Sequence, residues 1–448
     1  MKIKSIRKNA GKQRVYNVGV EKNNNYFANG VLTHNCFAYF FKSNNPGSRG
    51  KPMPLKSANI NNLIHAVQGN PKTKRDRAMY EHFYKRRFLL HWGGLGDPFC
   101  GFEYKNKEGM KLIQVLGECN YPTLFSFKGP TIMHKDYIKL FEKYAGQGNF
   151  AFQGSIITNS DELSRRIEVG VPPTSMRLEA VKRLSEMGYW TILRLRPFVM
   201  GVSDQGLEEL LYRAKEAGVN GLSTEWYAMD SRATPEAKRR YKWLAELMGV
   251  RNLHQYFSKL SPSERGGYMR LNRKVKEESM KIMYKFCSEN DVVCAVSDPD
   301  YKELNTSGSC CGMPDHFPKN PRLENWTKNQ LTYHLKEMRR KYHTTGESAL
   351  LHFDDVYREE TYFDDPGIME MGGAIGLVGL PTGVRKTMTH KILLRQHWNN
   401  LGSPSNPRNY LHGKLMPIGV DTNGSFIYQY TPKPYEARWA SEGIDMTR

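Results

Sequence analysis

The triplet His34-Asn35-Cys36 holds the side chains needed to break one peptide bond and make another. An asparagine side-chain amide can attack its own backbone carbonyl, closing a succinimide ring and cleaving the bond on its C-terminal side. The preceding His34 can polarise that carbonyl as a general acid. Cys36 can first capture an acyl group as a thioester, being a strong nucleophile when partly thiolate. All three groups share one turn of chain, so proximity supplies much of the rate. A second candidate is Gly93-Gly94-Leu95-Gly96-Asp97. Its glycines let backbone approach a ligand closely, with the carboxylate of Asp97 among them. Of the other cysteines, Cys100 and Cys119 read as packing residues. Cys287, Cys294 and the vicinal Cys310-Cys311 fit either a structural or redox-sensitive group or an auxiliary metal site, although their spacing matches no standard zinc finger.

Short polar elements surround the triplet. Arg14–Val20 alternates like a strand, and Asn25–Thr33 sets Asn29-Gly30 between apolar residues, a strong hairpin signal. A segment this short and polar cannot bury a core alone and needs completion from elsewhere.

The whole stretch MKIKSIRKNAGKQRVYNVGVEKNNNYFANGVLTHNC resembles the C-terminal halves of split inteins from cyanobacterial replicative polymerases, in length, in its GKQ-x-VY-x-x-GVE core and in the closing Asn-Cys-Phe. It also begins at its own Met1, as expected of a separately translated half. The resemblance implies that His34 assists, Asn35 cyclises and Cys36 is the first residue retained after splicing. It also implies a partner polypeptide carrying the N-terminal intein half and the N-extein. The family's usual Asp after Val-Tyr is Asn17 here, and a usual His is Asn24, which implies slower upstream steps or other bases.

Beyond residue 86, strand-like runs at Phe88–Trp92, Thr123–Phe127, Phe150–Ile156, Trp190–Leu195 and Gly221–Glu225 alternate with helical patterns. The helices are expected at Lys111–Leu116, Tyr137–Tyr144, Arg177–Met187 and Leu207–Ala217. Gly188 and Gly218 sit where helices should stop. Repeated βα units predict an α/β fold with a parallel sheet or barrel and chemistry at the C-terminal strand ends.

Gly154–Thr158, Arg166–Pro173, Arg177-Leu178, Leu184–Gly188 and Arg196-Pro197, taken in order with the Gly93–Phe99 loop, are similar to radical S-adenosylmethionine enzymes of the spore photoproduct lyase-like branch. The resemblance implies a partial (β/α) barrel. Gly93, Gly94 and Asp97 would hold the cofactor's methionine end, and Ser155 would also contact it. Lys128 falls where the family often has Thr-Lys. The branch's hydrogen-donating cysteine aligns with Gly94, so thymine-dimer repair is not expected. The family's defining Cys-x3-Cys-x2-Cys, which holds a [4Fe–4S] cluster, is absent. Cys36-Phe37-Ala38-Tyr39-Phe40 is similar to the family's residues at and just after the third cluster cysteine. This implies that the splice junction lies inside the cluster loop, with Cys36 a splicing nucleophile first and an iron ligand afterwards. The other expected layout is a junction elsewhere, with Cys36 used only in splicing.

Three segments are expected: 1–35, the small all-β half-intein; 36–315, the partial barrel, whose first strand and remaining cluster loop lie on the partner chain; and 316–448, a mixed C-terminal region. With 448 residues and 39% hydrophobic content the chain can build real cores. It has no run of about 18 apolar residues and no leader-like start, so it reads as a cytoplasmic chain with reduced thiols and no membrane partner. The net charge of +21 points to a polyanion such as nucleic acid, or to a generally basic surface. Arg232–Met248, Arg270–Cys287 and Lys336–Lys341 look like basic helices that either track phosphates or present a solvated face. The acidic set Asp354, Asp355, Glu359, Glu360, Asp364 and Asp365 reads as a solvated loop before a metal site, Gly367–Gly383 as packed turns and 402–409 as a loop. Two functions compete: a radical enzyme, and a non-catalytic nucleic-acid-binding protein on a degenerate barrel.

Overall fold

A computed structural model describes residues 25–28, 31–34, 57–73, 76–77, 80–85, 87, 89–93, 97–100, 103–104, 107–168, 171–230, 235–260, 264–265, 268–307, 331–356, 390–403 and 406–448. Strands β1 (Asn25–Ala28) and β2 (Val31–His34) pair antiparallel, with Ala28 opposite Val31, which is the register expected of a two-residue Asn-Gly connection. Asn35 and Cys36, like Arg14–Val20, lie outside the described residues.

After α1 (Ser57–Val67) comes a run of βα units: β3 (Leu90–Trp92), α2 (Glu108–Glu118), β4 (Thr123–Phe127), α3 (Lys135–Tyr144) and β5 (Phe150–Ser155). It continues with α4 (Asp161–Ile167), α5 (Thr174–Glu186), β6 (Trp190–Phe198), α6 (Leu207–Glu216) and β7 (Gly221–Trp226). A small sheet then forms from β8 (Met229–Asp230), β9 (Glu264–Arg265) and β10 (Tyr268–Met269), with α7 (Pro235–Leu247) and α8 (Leu253–Leu260) inserted before β9. Finally α9 (Arg273–Glu289) leads to β11 (Val293–Val296).

β3, β4, β5, β6, β7 and β11 lie side by side in chain order as one six-stranded parallel sheet. Sequential parallel order with a helix in each crossover is the arrangement of a barrel wall. The expected strands are present within three residues at each end, and Gly188 and Gly218 take the left-handed conformation past α5 and α6. β11 was not anticipated: four residues between charged neighbours give too short a signal. It forms because Val293–Val296 pair with Gly221–Thr224.

Strand alternation divides the sheet into two faces. Phe125, Phe127, Phe150, Phe152, Leu193, Leu195, Leu222, Cys294 and Val296 pack under the helices in one large core. Phe99 is fully buried there, edge-on to Phe125, Phe127, Tyr137 and Phe141. The opposite face has a small apolar floor of Leu124, Ala151 and Ile192, and polar side chains above it.

The C-terminal part contains α10 (Leu331–Thr345), β12 (Leu350–Leu351), α11 (Phe353–Val356), α12 (His390–Asn399) and α13 (Pro407–Tyr410). A hairpin of β13 (Leu415–Val420) and β14 (Phe426–Tyr430) precedes α14 (Pro434–Ser441). Trp398, Leu335, Phe353 and Tyr428 anchor its core. The expectation that Lys336–Lys341 lies on a solvated or phosphate-tracking face is corrected at two residues. Arg339 is fully buried, bonded to the Tyr284 hydroxyl at 3.0 Å and to the carbonyls of Met446 and Arg448, and Lys336 is 8% exposed. Carbonyls at the chain's end reach Arg339, a pairing that no local pattern encodes. Residues 402–409 are not wholly loop, since α13 begins at Pro407. Of the acidic set, Asp355 accepts from the His352 backbone N–H and Asp354 lies 3.7 Å from Arg395, while Glu359, Glu360, Asp364, Asp365 and Gly367–Gly383 lie outside the described residues.

Among the described residues no helix is long and apolar enough to cross a membrane. Asn272 caps α9 by accepting from the Val275 N–H at 3.2 Å. Asn272→Ala should therefore lower stability by about 1 kcal/mol in urea unfolding, with an unchanged denaturant slope.

Candidate active site at the polar face of the sheet

The C-terminal ends of β3, β4 and β5 bring several expected residues together. Gly93 follows β3 with φ of 107°, and an added Cβ would lie 2.1 Å from the Ser126 carbonyl oxygen, so only glycine fits against β4 there. Gly94 lies outside the described residues. Asp97 stands beneath the mouth: one carboxylate oxygen accepts from the Phe99 N–H at 2.9 Å and the other from the Lys128 N–H at 3.1 Å. Burial pushes the Asp97 carboxyl up, and the N–H groups of Phe99, Lys128 and Gly129, with the Lys128 charge, oppose that only in part. A buried carboxylate in this condition gains from a neighbouring cation. Its chemistry therefore fits an ammonium, and its present hydrogen bonds also make it a strut between the loop and β4.

Ser155, the last residue of β5, is buried, and its carbonyl accepts from Arg177 at 2.7 Å. Arg177 also reaches the Ser164 hydroxyl at 2.6 Å and the Glu168 carboxylate at 2.6 Å. Lys128 closes on the other oxygen of Glu168 at 2.5 Å. Burial disfavours the Glu168 charge, but Arg177 and Lys128 outweigh it and hold the carboxyl below its usual range. The expected Lys128 is thus an ion-pair partner beside Ser155. Glu168 and Arg177 are the buried groups that fix this corner.

Sequence reasoning did not single out the polar face itself. Leu90 and Trp92 pack toward the helices, so the residue between them, His91, projects to the other side. By the same alternation Ser126, Gln153 and Ser155, then Arg194 and Arg196, then Ser223 and Glu225 occupy this face on successive strands. Register sets Ser126 beside Gln153, Ser155 beside Arg194, and Arg194 beside Ser223. The His91 Nε2 lies 2.8 Å from the Ser126 Oγ, which donates to the Gln153 Oε1 at 2.8 Å. The serine's hydrogen is committed to Gln153, so with this amide orientation Nε2 carries the imidazole proton and Nδ1 keeps its lone pair. Arg196 donates to the Ser297 hydroxyl. The alternation Arg194-Leu195-Arg196 was the available sequence signal; which side the helices covered was not.

Desolvation by the surrounding protein, then the Arg194 and Arg196 charges, lower the His91 pKa from 6.5 to about 4, although the side chain keeps an exposed edge, so that the two arginine charges are the firmer cause. The unfolded chain therefore binds this proton before the folded one does. His91 costs no stability above pH 6.5, and stability falls as pH drops from 6.5 toward 4. His91→Gln should flatten that part of the pH profile of urea midpoints while leaving the neutral-pH midpoint nearly in place.

Cys287 and Cys294 are both buried in the main core, Cys287 with its thiol pushed up by burial and by Cys294 beside it. Among the described residues no group of His, Cys, Asp and Glu is arranged to hold a metal. Cys100 and Cys119 are half-buried, and Cys310 and Cys311 lie outside the described residues.

No protein-family model and no curated protein sequence matches the chain. Among solved structures, it is similar to a spore photoproduct lyase with bound AdoMet and dinucleoside spore photoproduct: 15% identity, TM-score 0.42, covering 58% of this chain and 72% of that one. A second is a spore photoproduct lyase complexed with dinucleoside spore photoproduct: 17% identity, TM-score 0.37, covering 52% and 70%. A third is SuiB of Streptococcus suis bound to S-adenosylmethionine: 12% identity, TM-score 0.32, covering 56% and 45%.

Proposed function

We propose that residues 1–35 excise themselves while joining Cys36 to an upstream polypeptide, and that the joined product is a radical S-adenosylmethionine enzyme acting on nucleic acid or protein. One observation carries this reading. Cys36-Phe37-Ala38-Tyr39-Phe40 resembles the residues at and just after a third cluster cysteine, in a sequence that holds no Cys-x3-Cys-x2-Cys of its own.

The bond chemistry is consistent with using one sulfur twice. Cys36 Sγ attacks the upstream acyl group, held as a thioester on the cysteine that begins the partner's intein half; that C–S bond breaks, the partner's thiol is released, and the acyl group passes to Cys36 as a new thioester. The Asn35 amide nitrogen then attacks the Asn35 carbonyl carbon, closing the succinimide, and the 35–36 C–N bond breaks with its electrons going to the Cys36 amine. That amine takes the acyl group from its own sulfur, so a peptide bond forms and the thiol is restored. The restored Cys36, with two thiolates from the upstream segment, would hold a [4Fe–4S] cluster with one iron open.

The cluster and S-adenosylmethionine, when bound, supply hydrogen-atom abstraction. Asp97 would face the ammonium of the methionine end, next to Gly93 and Gly94, and Ser155 would offer its hydroxyl at the neighbouring strand end. The Lys128–Glu168–Arg177 triad would hold that strand end rigid. The polar face would receive the substrate.

The test is to join the chain to a polypeptide bearing the complementary intein half, reconstitute it with iron and sulfide without oxygen, and add S-adenosylmethionine and dithionite. 5′-Deoxyadenosine is expected from the joined product and none from the unjoined chain. A joined product that makes none leaves the non-catalytic nucleic-acid-binding function.

A further inference from the structure

The two guanidiniums of β6 share one face of the sheet, on alternate residues of a single strand, and both act on His91 three strands away. Around them the face is lined by the hydroxyls of Ser126, Ser155, Ser223 and Ser297. Glu225 is the one carboxylate among the described strand residues of this face, and it lies 3.5 Å from Arg270 at the rim. Among the described residues of this face the charge is therefore mainly positive; the guanidiniums donate hydrogen bonds, while the Ser126 hydrogen is taken by the Gln153 carbonyl oxygen. His91 is the exception: its Nε2 proton is committed to Ser126, and Nδ1 is left as an acceptor.

We propose that this face binds a phosphate group, gripped by Arg194 and Arg196, with the neutral His91 accepting a proton-bearing group of the same ligand through Nδ1. Arginine forks match phosphate oxygens in pairs, which a scatter of lysines does not. A neutral imidazole adds an acceptor without cancelling the positive field. This deepens the functional reading above by naming the substrate class as phosphorylated, but the binding itself needs neither cluster nor joined partner.

The experiment uses the full unjoined chain with ¹³C-labelled histidine, the His91 signal being assigned by its loss in His91→Gln. Its pH titration is followed with and without inorganic pyrophosphate, a mononucleotide, and a short single-stranded oligonucleotide. A bound phosphate offsets the two guanidiniums, so the His91 pKa should rise from about 4 toward its ordinary value, and binding should tighten as pH falls. Arg194→Met and Arg196→Met should each weaken binding by about tenfold or more and abolish the rise. Arg194→Lys, which keeps the charge and loses the fork, should fall between and guards against a variant that does not fold. Which of the three probes moves His91 distinguishes a free phosphate, a nucleotide and a polymer as the source. If none moves it, or if the methionine variants bind as tightly as the native chain, the phosphate site is wrong. Failure to form deoxyadenosine in the joined product would not bear on this result.

Discussion

Mixed with a polypeptide carrying the complementary intein half, the native chain will release a fragment ending at Asn35 and yield a product joined through Cys36, whereas the Asn35→Ala chain will do neither. The expectation rests on the chemistry of a single atom. The Asn35 side-chain nitrogen is tethered to its own carbonyl by only a few covalent bonds, which makes the attack intramolecular with a very high effective concentration, and alanine has no nucleophile to replace it. Loss of excised fragment should be about 10³-fold or more over the time the native reaction completes. Cys36→Ala should also abolish joining but should still permit some cleavage after Asn35, because the succinimide step does not use the sulfur. Intact-mass spectrometry separates the cases: a free C-terminal fragment without joined product for Cys36→Ala, and neither for Asn35→Ala. An Asn35→Ala chain that still joins would remove the assigned role.

The second large effect concerns stability. Glu168 is 1% exposed at its side chain, Arg177 likewise and Lys128 13%. Glu168→Ala would leave two cations near one another, one of them fully enclosed, with no counter-charge. Removing one partner of a buried ion pair costs about 3–5 kcal/mol, against roughly 5–15 kcal/mol for a whole domain. The variant should populate the unfolded state substantially or fail to accumulate. Glu168→Gln keeps the size and part of the hydrogen bonding but not the charge, and should lie between. The native triad also has a pH signature. The Glu168 pKa is lowered on folding, so its stabilisation is complete above the ordinary carboxyl value of 4.5 and fades as pH falls through the folded value. Urea midpoints over the acid range measure both. A Glu168→Ala chain as stable as the native one would show that the triad is not what holds the corner beside Ser155.

The βα rhythm was legible because its elements are long and locally consistent. Leu207, Leu210, Leu211 and Ala214 mark one face of α6, and all four are buried. Ser155 was named only through the resemblance to radical S-adenosylmethionine enzymes, and Asp97 through its place in the glycine-rich loop that the same resemblance covers. His91 did not stand out, since one histidine inside Phe88–Trp92 looks like a tolerated interruption. Its importance depends on Arg194 and Arg196, a hundred residues away in sequence and brought close only by the sheet. Glu168 was visible as part of a motif, but its burial between Lys128 and Arg177 depends on three separate segments: the end of β4, the end of α4 and the first turn of α5. Arg339 illustrates the same limit in reverse: a basic run reads as solvated until the chain's last carbonyls fold back onto it. Local pattern thus sets elements and strand ends, while the charge pairs that tune the site come from contacts between distant segments.

The most direct measurement is the optical spectrum of the joined product after anaerobic reconstitution, beside the unjoined chain treated identically. A brown chromophore absorbing near about 400 nm is expected only after joining, and its loss is expected when Cys36 is replaced by serine in a product assembled by other means. Equal colour in the unjoined chain, or a colourless joined product with native Cys36, would contradict the claim that this sulfur passes from splicing to iron.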